Sequence, residues 1–151
     1  MYVVISGAGE TGYSIATSLC NEGHEVAVIE RNRDVMDKLD NIDVISVWGN
    51  AANPDILKEA GIEQADFYIG CTGSDEVNMI SCALAKQYGV TTIARINSSE
   101  YLNREVSFDK YRAIGIDVSI CPDLLAAKKI ARILLLPRIM NADIFAEGKI
   151  K

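Results

Sequence analysis

Three glycines near the start of the chain have the spacing of a phosphate-binding turn. Gly7, Gly9 and Gly12 form a Gly-x-Gly-x-x-Gly motif directly after the apolar run 2–5. In such a motif the first glycine permits a tight turn and the second leaves room for a diphosphate against the backbone. The third lets the next helix lie close to the sheet. Because N–H groups at a helix start attract phosphate, the motif predicts a nucleotide diphosphate site.

An acidic residue follows the glycines at the distance that a dinucleotide site requires. Glu30 ends a second predicted strand, residues 25–29, roughly 20 residues beyond the motif. A carboxylate in this place accepts hydrogen bonds from a ribose diol and repels a 2′-phosphate, which favours NAD over NADP. Arg31 and Arg33 leave the alternative open, since a nearby arginine accommodates that phosphate.

Residue types that bind metals or act as nucleophiles are few and scattered. The chain has one histidine, His24, and four cysteines with no Cys-x-x-Cys pair: Cys20, Cys71, Cys82 and Cys121. This spacing is not that of a zinc site. Cys71 ends an apolar run beside the expected pocket and is the one thiol whose reactivity is worth testing. Its alternative role is to fill the core as a small hydrophobe.

The composition excludes several classes of function. The 151 residues include 15 lysines and arginines against 21 acids, which gives a net charge of −6. Since no basic patch alternates with aromatic residues, we expect no binding to nucleic acid. No apolar run approaches the roughly 18 residues of a membrane span, and there is no secretory signal pattern. We therefore expect one cytoplasmic domain that does not itself cross a membrane.

Strand and helix patterns alternate along the chain, which is typical of parallel βαβ units. Strands are predicted at residues 2–5, 25–29, 44–48, 67–71, 91–96 and 117–121. Helices are predicted after the glycine motif, at 33–40, from Asn53 to Gly61, from Ser74 to Gly89, at 99–113 and at 124–136. Strands one to four are apolar on both faces, as in a buried parallel sheet. These patterns predict an α/β, Rossmann-like, doubly wound six-stranded parallel sheet of order 3-2-1-4-5-6.

The last predicted helix has more apolar surface than packing on one sheet requires. Between Leu124 and Leu136 its only charges are Lys128, Lys129 and Arg132, which fall on one narrow arc. The surplus favours a second packing partner, either another subunit or a further domain. Burial within its own domain is the alternative. Pro137 ends the helix, and we interpret 137–151 as a linker and the start of a further C-terminal domain.

Several further segments of the chain form a linked pattern beyond the glycine motif. They are Trp48-Gly49-Asn50-Ala51, residues 53–57, the run TGSDEVNM at 72–79, Ala94-Arg95-Ile96-Asn97 with Glu100-Tyr101, and Asp117-Val118 before Pro122. Together they resemble the RCK/TrkA N-terminal (KTN) domain of the Trk/Ktr potassium-uptake regulatory proteins. The resemblance covers about residues 1–136. TGSDEVNM together with ARIxxxEY is specific, because neither belongs to ordinary dehydrogenases.

The resemblance implies a non-enzymatic regulatory subunit that binds NAD or NADH, with ATP, ADP and AMP as alternative ligands. Such subunits form homodimers that assemble into a ring beneath an integral-membrane potassium transporter. The subunit would be cytoplasmic and peripheral at the inner membrane face, and it would gate the transporter through ligand-dependent changes of dimer and ring. The helix at 124–136 fits the crossover helix through which these domains pair. An NAD-dependent oxidoreductase subunit is the alternative function.

The resemblance also assigns parts of the ligand to particular segments. The glycines would hold the diphosphate, Glu30 the adenosine ribose, and residues 50–51 the adenine side. The loop at 72–74 would flank the phosphates and second ribose, and Arg95 would reach the distal phosphate or ribose. Alternatively, Arg95 is a strand-end charge paired with Asp75 or Glu76. The full predicted set is Gly7, Ala8, Gly9, Glu10, Thr11, Gly12, Glu30, Arg31, Asn50, Ala51, Thr72, Gly73, Ser74 and Arg95.

Overall fold

A computed structural model of the chain describes residues 1–98, 100–101 and 108–135. The chain forms two units, residues 1–120 and residues 121–151. The first unit contains the whole sheet, and the second contains the last helix. The domain boundary predicted between 136 and 137 lies outside the described residues and stays a prediction.

The sheet has six strands, all parallel. They are β1 (Tyr2–Ser6), β2 (Glu25–Glu30), β3 (Ile45–Trp48), β4 (Phe67–Gly70), β5 (Thr91–Arg95) and β6 (Val118–Ile120). Their order is β3-β2-β1-β4-β5-β6, which confirms the predicted topology. The strand order changes direction between β1 and β4, because β2 and β3 lie on one side of β1 and β4 to β6 lie on the other. The loops after these two strands therefore diverge and leave a crevice at their carboxyl ends.

Within the described residues, six α-helices connect or follow the strands. They are α1 (Glu10–Asn21), α2 (Arg33–Met36), α3 (Pro54–Glu59), α4 (Asp75–Lys86), α5 (Phe108–Ala113) and α6 (Pro122–Leu135). The helix predicted at 33–40 is only one α-turn followed by a 3₁₀ segment, Asp37–Asn41. The helix predicted from residue 99 is wrong at its start, since Glu100 and Tyr101 lie in a turn. Residues 99 and 102–107 of that prediction lie outside the described residues.

Local capping signals set the boundaries of the helices next to the site. Asn53 accepts a hydrogen bond from the Asp55 N–H at 3.0 Å, and Pro54 opens α3. Gly61 follows that helix in the left-handed region, with φ of 75°. Ser74 accepts from the Val77 N–H at 3.2 Å at the start of α4. The boundaries predicted from these residues are confirmed, because each signal depends only on neighbouring backbone groups.

Apolar side chains cover both faces of the sheet. Val3 and Ile5 of β1 point to the face that packs α1 and α2, and Val4 points to the face that packs α3, α4 and α5. Burial on both faces is what a doubly wound sheet requires. The expectation fails for β3, where Ile45 is 55% and Trp48 52% exposed. The reason is position, because β3 is an edge strand with a partner on one side only.

A polar cluster ties β5 to β6 at the amino ends of the strands. Asp117 accepts hydrogen bonds from the Lys86 ammonium at 2.7 Å and from the Thr92 N–H at 2.8 Å. Partial burial disfavours the charged carboxylate, but these hydrogen bonds outweigh it and hold the pKa of Asp117 below its ordinary value. The ionised form of Asp117 therefore stabilises the fold.

Replacing Asp117 with asparagine should lower the free energy of unfolding at pH 7 by about 1–2 kcal/mol, because the Lys86 ammonium loses its charged partner. The native pKa is below the ordinary 3.8. The stabilisation is therefore present above that pH and is lost as the pH falls through the native pKa. Urea denaturation from pH 7 to pH 3 should show the two proteins converging at the acid end. Asp43→Asn, at an exposed position, is the control and should lower the free energy of unfolding by less than about 0.5 kcal/mol. An equal loss in both variants would contradict the stabilising role of ionised Asp117.

Candidate functional site

A cavity of about 720 Å³ lies at the carboxyl ends of the strands. It is lined by the loops after β1 to β4 and by the strand-end residues Ile29, Glu30 and Arg95. Its volume is within the range of about 300–1,000 Å³ that is usual for small-molecule sites. Of the predicted site residues, all but Ala8 and Gly12 line it. Cys71, which was expected beside the pocket, also lines the cavity. The lining residues that were not predicted are Ile29, Asn32, Val35, Gly49 and Val77.

The three glycines of the motif occupy three different environments. Gly7 has φ of 94°, and a Cβ there would lie 2.8 Å from the Cys71 carbonyl oxygen. A Cβ on Gly12 would lie 1.9 Å from the Gly7 carbonyl oxygen, whereas one on Gly9 would meet nothing within 4 Å. Gly7 and Gly12 are thus required by the fold itself. Gly9 is not, and its open side is where the backbone is accessible to a ligand.

Glu30 connects the glycine turn to the loop after β2. One carboxylate oxygen accepts a hydrogen bond from the Ala8 N–H at 2.8 Å, and the other accepts from the Asn32 N–H at 2.8 Å. Ala8 is buried, so its contribution to the site is this backbone donor rather than its side chain. Each carboxylate oxygen can accept more than one hydrogen bond. Glu30 therefore retains capacity for a ribose hydroxyl while its position is fixed.

The buried amide of Asn78 holds the opposite wall of the cavity. Its Oδ1 accepts from the Thr72 N–H at 2.8 Å and from the Thr72 hydroxyl at 2.7 Å. Its Nδ2 donates to the carbonyl oxygens of Thr72 at 3.1 Å and Arg95 at 2.9 Å. Two acceptor and two donor positions are thus used, which is the full capacity of a side-chain amide. Asn78 joins two cavity-lining residues that belong to different strand ends.

Sequence reasoning missed the role of Asn78, although one signal was present. In α4, Asn78 shares a helix face with Cys82 and Ala85, which are four and seven positions further on. All three side chains are buried. A lone asparagine on an apolar helix face must find hydrogen-bond partners inside the protein. The sequence therefore marked Asn78 as a structural polar group but did not identify its partners.

Arg95 extends toward the glycine turn, and it forms no ion pair with any acid among the residues that the structure describes. Its Nε donates to Asn97 Oδ1 at 3.2 Å, and its Nη1 donates to the Thr11 hydroxyl at 3.4 Å. Asp75 instead accepts from the Asn97 and Ser98 N–H groups, at 2.9 Å and 2.7 Å. The described residues contain no ion pair between Arg95 and Asp75 or Glu76. The strand-end pairing considered for Arg95 is therefore wrong, and its guanidinium lines the cavity.

Cys71 forms part of the cavity floor as a neutral thiol. It is buried, and its Sγ lies 3.2 Å from the Ser6 carbonyl oxygen to which the thiol donates. Burial raises the pKa of Cys71 to about 11, although the Arg95 charge opposes the shift. Since the thiolate is the reactive form, this cysteine is a weak nucleophile near neutral pH. The geometry supports the core-filling role over a redox role.

The cavity therefore combines groups that suit an anionic ligand containing ribose. Backbone N–H groups at the start of α1 and the Arg95 guanidinium favour phosphate, and Glu30 favours a sugar diol. The lining carries two acids, Glu10 and Glu30, and two arginines, Arg31 and Arg95. Within the described residues, no group of three or more His, Cys, Asp or Glu side chains is placed to hold a metal ion.

The family model described as the TrkA-N domain matches residues 3–122. The chain belongs to the TrkA-N domain family. A Trk system potassium uptake protein TrkA homolog from Archaeoglobus fulgidus is 39% identical over 152 residues, covering 100% of this chain and 34% of that protein. The TrkA protein of Vibrio alginolyticus is 35% identical over 153 residues, covering 99% of this chain and 33% of that protein. The chain thus spans about a third of the length of these relatives.

Solved structures share the fold of this TrkA-N domain at low identity. The TrkA-N domain of YbaL from Escherichia coli has a TM-score of 0.76 at 22% identity, covering 88% of this chain and 96% of that one. The GsuK channel bound to NAD has a TM-score of 0.65 at 18% identity, and the match covers 80% of this chain and 21% of that one. GsuK bound to ADP has a TM-score of 0.70 at 23% identity, and the match covers 88% of this chain and 33% of that one. The Kef C-terminal domain of Shewanella denitrificans in its AMP-bound form has a TM-score of 0.71 at 18% identity, and the match covers 94% of this chain and 84% of that one.

Replacing Asn78 with alanine should lower the free energy of unfolding by about 2–4 kcal/mol, because the Thr72 N–H and the Arg95 carbonyl lose their partners in the interior. Urea denaturation monitored by circular dichroism measures the loss. The matched control is Asn41→Ala, since Asn41 is exposed and its amide donates one hydrogen bond, to the Lys38 carbonyl at 3.2 Å. That change should cost less than about 1 kcal/mol. Similar losses for the two variants would show that Asn78 does not join the two segments.

Proposed function

We propose that the chain is the nucleotide-sensing domain of a cytoplasmic regulatory subunit of a potassium uptake system. Its ligand is NAD or NADH, with ATP, ADP and AMP as alternatives. The observation that carries the proposal is the cavity at the ends of β1 and β4, which brings the glycine turn, Glu30 and Arg95 together. Potassium-uptake relatives and nucleotide-bound neighbours of the same fold support it.

The residues present fit an adenine nucleotide, and each part of the ligand has a place. The N–H groups in the first turn of α1 lack intrahelical partners and would bind the diphosphate beside Gly9. Glu30 would accept from the adenosine ribose. Asn50 and Ala51 would lie on the adenine side, where Asn50 Oδ1 accepts from the Ala52 N–H at 3.0 Å and shapes the turn. Thr72, Gly73 and Ser74 would flank the second half of the ligand, and Arg95 would meet its distal end.

Regulation would follow from ligands that differ beyond the shared adenosine phosphate. Such ligands differ in what they present to Arg95, and Asn78 joins the Arg95 backbone to the Thr72 loop. Asp75, at the start of α4, accepts hydrogen bonds from the Asn97 and Ser98 N–H groups and so joins α4 to the segment after β5. A ligand shifts the populations of two states only as far as it binds them with different affinity. In this proposal those states differ in the arrangement of a dimer and its ring, which gates an integral-membrane potassium transporter.

The apolar pattern of α6 supports pairing between subunits. Within its own unit this helix has large apolar side chains that are exposed: Leu124, Leu125, Ile130, Ile133, Leu134 and Leu135. A surface of this kind is typical of a helix that packs against another chain. A subunit of this kind would reach the inner membrane face through its partner. Among the described helices, none has both the length and the apolar character needed to cross a bilayer.

The alternative of an NAD-dependent oxidoreductase subunit has less support in the cavity. Hydride transfer to a carbonyl group requires a proton-donating side chain beside the reacting atoms. Among the described lining residues there is no histidine, lysine or tyrosine. His24 lies between α1 and β2, at the opposite end of the sheet. No specific contact therefore favours this function over nucleotide sensing.

Isothermal titration of the nucleotide-stripped protein with NADH, NAD, ATP and ADP tests the proposal. The wild type should bind at least one of them, and Gly9→Val should weaken that binding at least about tenfold, because the new side chain occupies the diphosphate position. The variant should still fold, since a Cβ on Gly9 meets nothing within 4 Å. Ser14→Val is the control, because it adds the same side chain at an exposed position of α1.

The preferred ligand defines what the domain senses. A preference between NADH and NAD would indicate a redox sensor, and a preference between ATP and ADP a sensor of energy charge. Unchanged affinity in Gly9→Val would contradict the assignment of the diphosphate to this turn. Absence of binding by all four nucleotides would contradict the proposed function itself.

A further inference from the structure

Trp48 contacts the loop after β2 at two points. The Arg33 guanidinium lies over its ring, with Cζ 4.4 Å from the ring centroid. The ring Nε1 donates a hydrogen bond to the Arg31 carbonyl oxygen at 3.0 Å. Trp48 ends the edge strand β3 and is half exposed, so the core does not require this large side chain. Its contacts suggest a role in arranging the loop.

The loop that Trp48 contacts forms one edge of the cavity. Arg31, Asn32 and Val35 line the cavity, whereas Arg33, which lies between them in the chain, does not. Arginine has a long and flexible side chain, and its position is set by the partners it finds. Here the partner is the Trp48 ring. The cation–π contact thus accounts for the absence of Arg33 from the lining.

The position of Arg33 matters because Glu30 is fixed at the same edge. Both carboxylate oxygens accept backbone N–H groups, from Ala8 and Asn32, so the acid does not turn away from a bound ribose. A 2′-phosphate beside this carboxylate would be repelled unless arginines compensate, and guanidinium groups bind phosphate through paired hydrogen bonds. Among the described residues, Arg31 is the cation that lines this edge of the cavity, and Arg33 would be the second.

We propose that Trp48 is a positioning residue that makes the site prefer a ribose with a free 2′-hydroxyl, by holding Arg33 away from the cavity. The inference rests on the proposed function, because it requires that a nucleotide binds here. An exposed cation–π contact shifts an equilibrium by about two- to fivefold. Loss of the Trp48 ring should therefore change the discrimination between 2′-phosphorylated and unphosphorylated ligands by a similar factor.

The test is the ratio of the dissociation constants for NADPH and NADH, measured by isothermal titration of the purified protein. Trp48→Ala should lower this ratio about two- to fivefold, because Arg33 becomes free to meet the 2′-phosphate. Trp48→Phe should keep the wild-type ratio, since a phenyl ring still holds the guanidinium. In the double variant Trp48→Ala with Arg33→Ala, the fall in the ratio should disappear.

Two controls separate this role from a general effect on the edge of the sheet. Ile45→Ala removes another exposed apolar side chain from β3 and should leave the ratio unchanged. Thermal melting should show that each variant folds as the wild type does. If the protein binds mononucleotides and not dinucleotides, the same comparison uses AMP and adenosine 2′,5′-bisphosphate in place of NADH and NADPH.

An unchanged ratio in Trp48→Ala would overturn the role of Trp48, and so would an equal fall with and without Arg33. In either case normal NADH or AMP binding by the wild type would leave the proposed function intact. If the wild type binds none of these ligands, the proposed function fails and the role of Trp48 fails with it. A fall in the ratio that depends on Arg33 would support the inference, because a merely structural role would not depend on that side chain.

Discussion

The close approach of α1 to the end of β1 is the constraint on which the site depends. A Cβ on Gly12 would lie 1.9 Å from the Gly7 carbonyl oxygen, so only glycine lets the helix begin this near the sheet. The approach places the start of α1 directly at the carboxyl edge of β1. There the Gly7 N–H donates to the Ile29 carbonyl at 2.8 Å. The turn is thereby fixed to β2 by its backbone, with the open side of Gly9 left to a ligand.

Partly buried hydrogen bonds then hold the two walls of the cavity to this turn. On the β2 side, the Glu30 carboxylate accepts from the Ala8 N–H. On the β4 side, Asn78 connects Thr72 to the end of β5, from which Arg95 reaches the Thr11 hydroxyl. A site organised in this way is largely formed before a ligand arrives, which lowers the ordering cost of binding. Differences between ligands would then act on the few side chains at its edges, above all Arg95.

The parts of the structure that follow from local chemistry were predictable from the sequence. The glycine motif, the alternation of strands and helices, and caps such as Asn53 and Ser74 depend on a few neighbouring residues. They were sufficient for the strand order and for the part of the cavity lining formed by the glycine turn and Glu30. The remaining predicted lining, at 50–51, 72–74 and Arg95, came from the resemblance to the family. The direction of Arg95, the partners of Asn78 and the exposure of β3 depend on contacts between distant segments. A single sequence does not contain that information, because each of those side chains has several local alternatives.

Nucleotide sensing by this domain requires that a nucleotide binds at the carboxyl edge of the sheet. The most direct test is a titration of the ¹⁵N-labelled chain with NADH or ADP, followed through the amide resonances of four glycines. Gly9 and Gly73 line the cavity, whereas Gly23 and Gly89 precede β2 and β5 at the opposite edge. If the nucleotide binds in this cavity, the resonances of Gly9 and Gly73 shift and those of Gly23 and Gly89 do not. Shifts at Gly23 and Gly89 without shifts at Gly9 and Gly73 would contradict it.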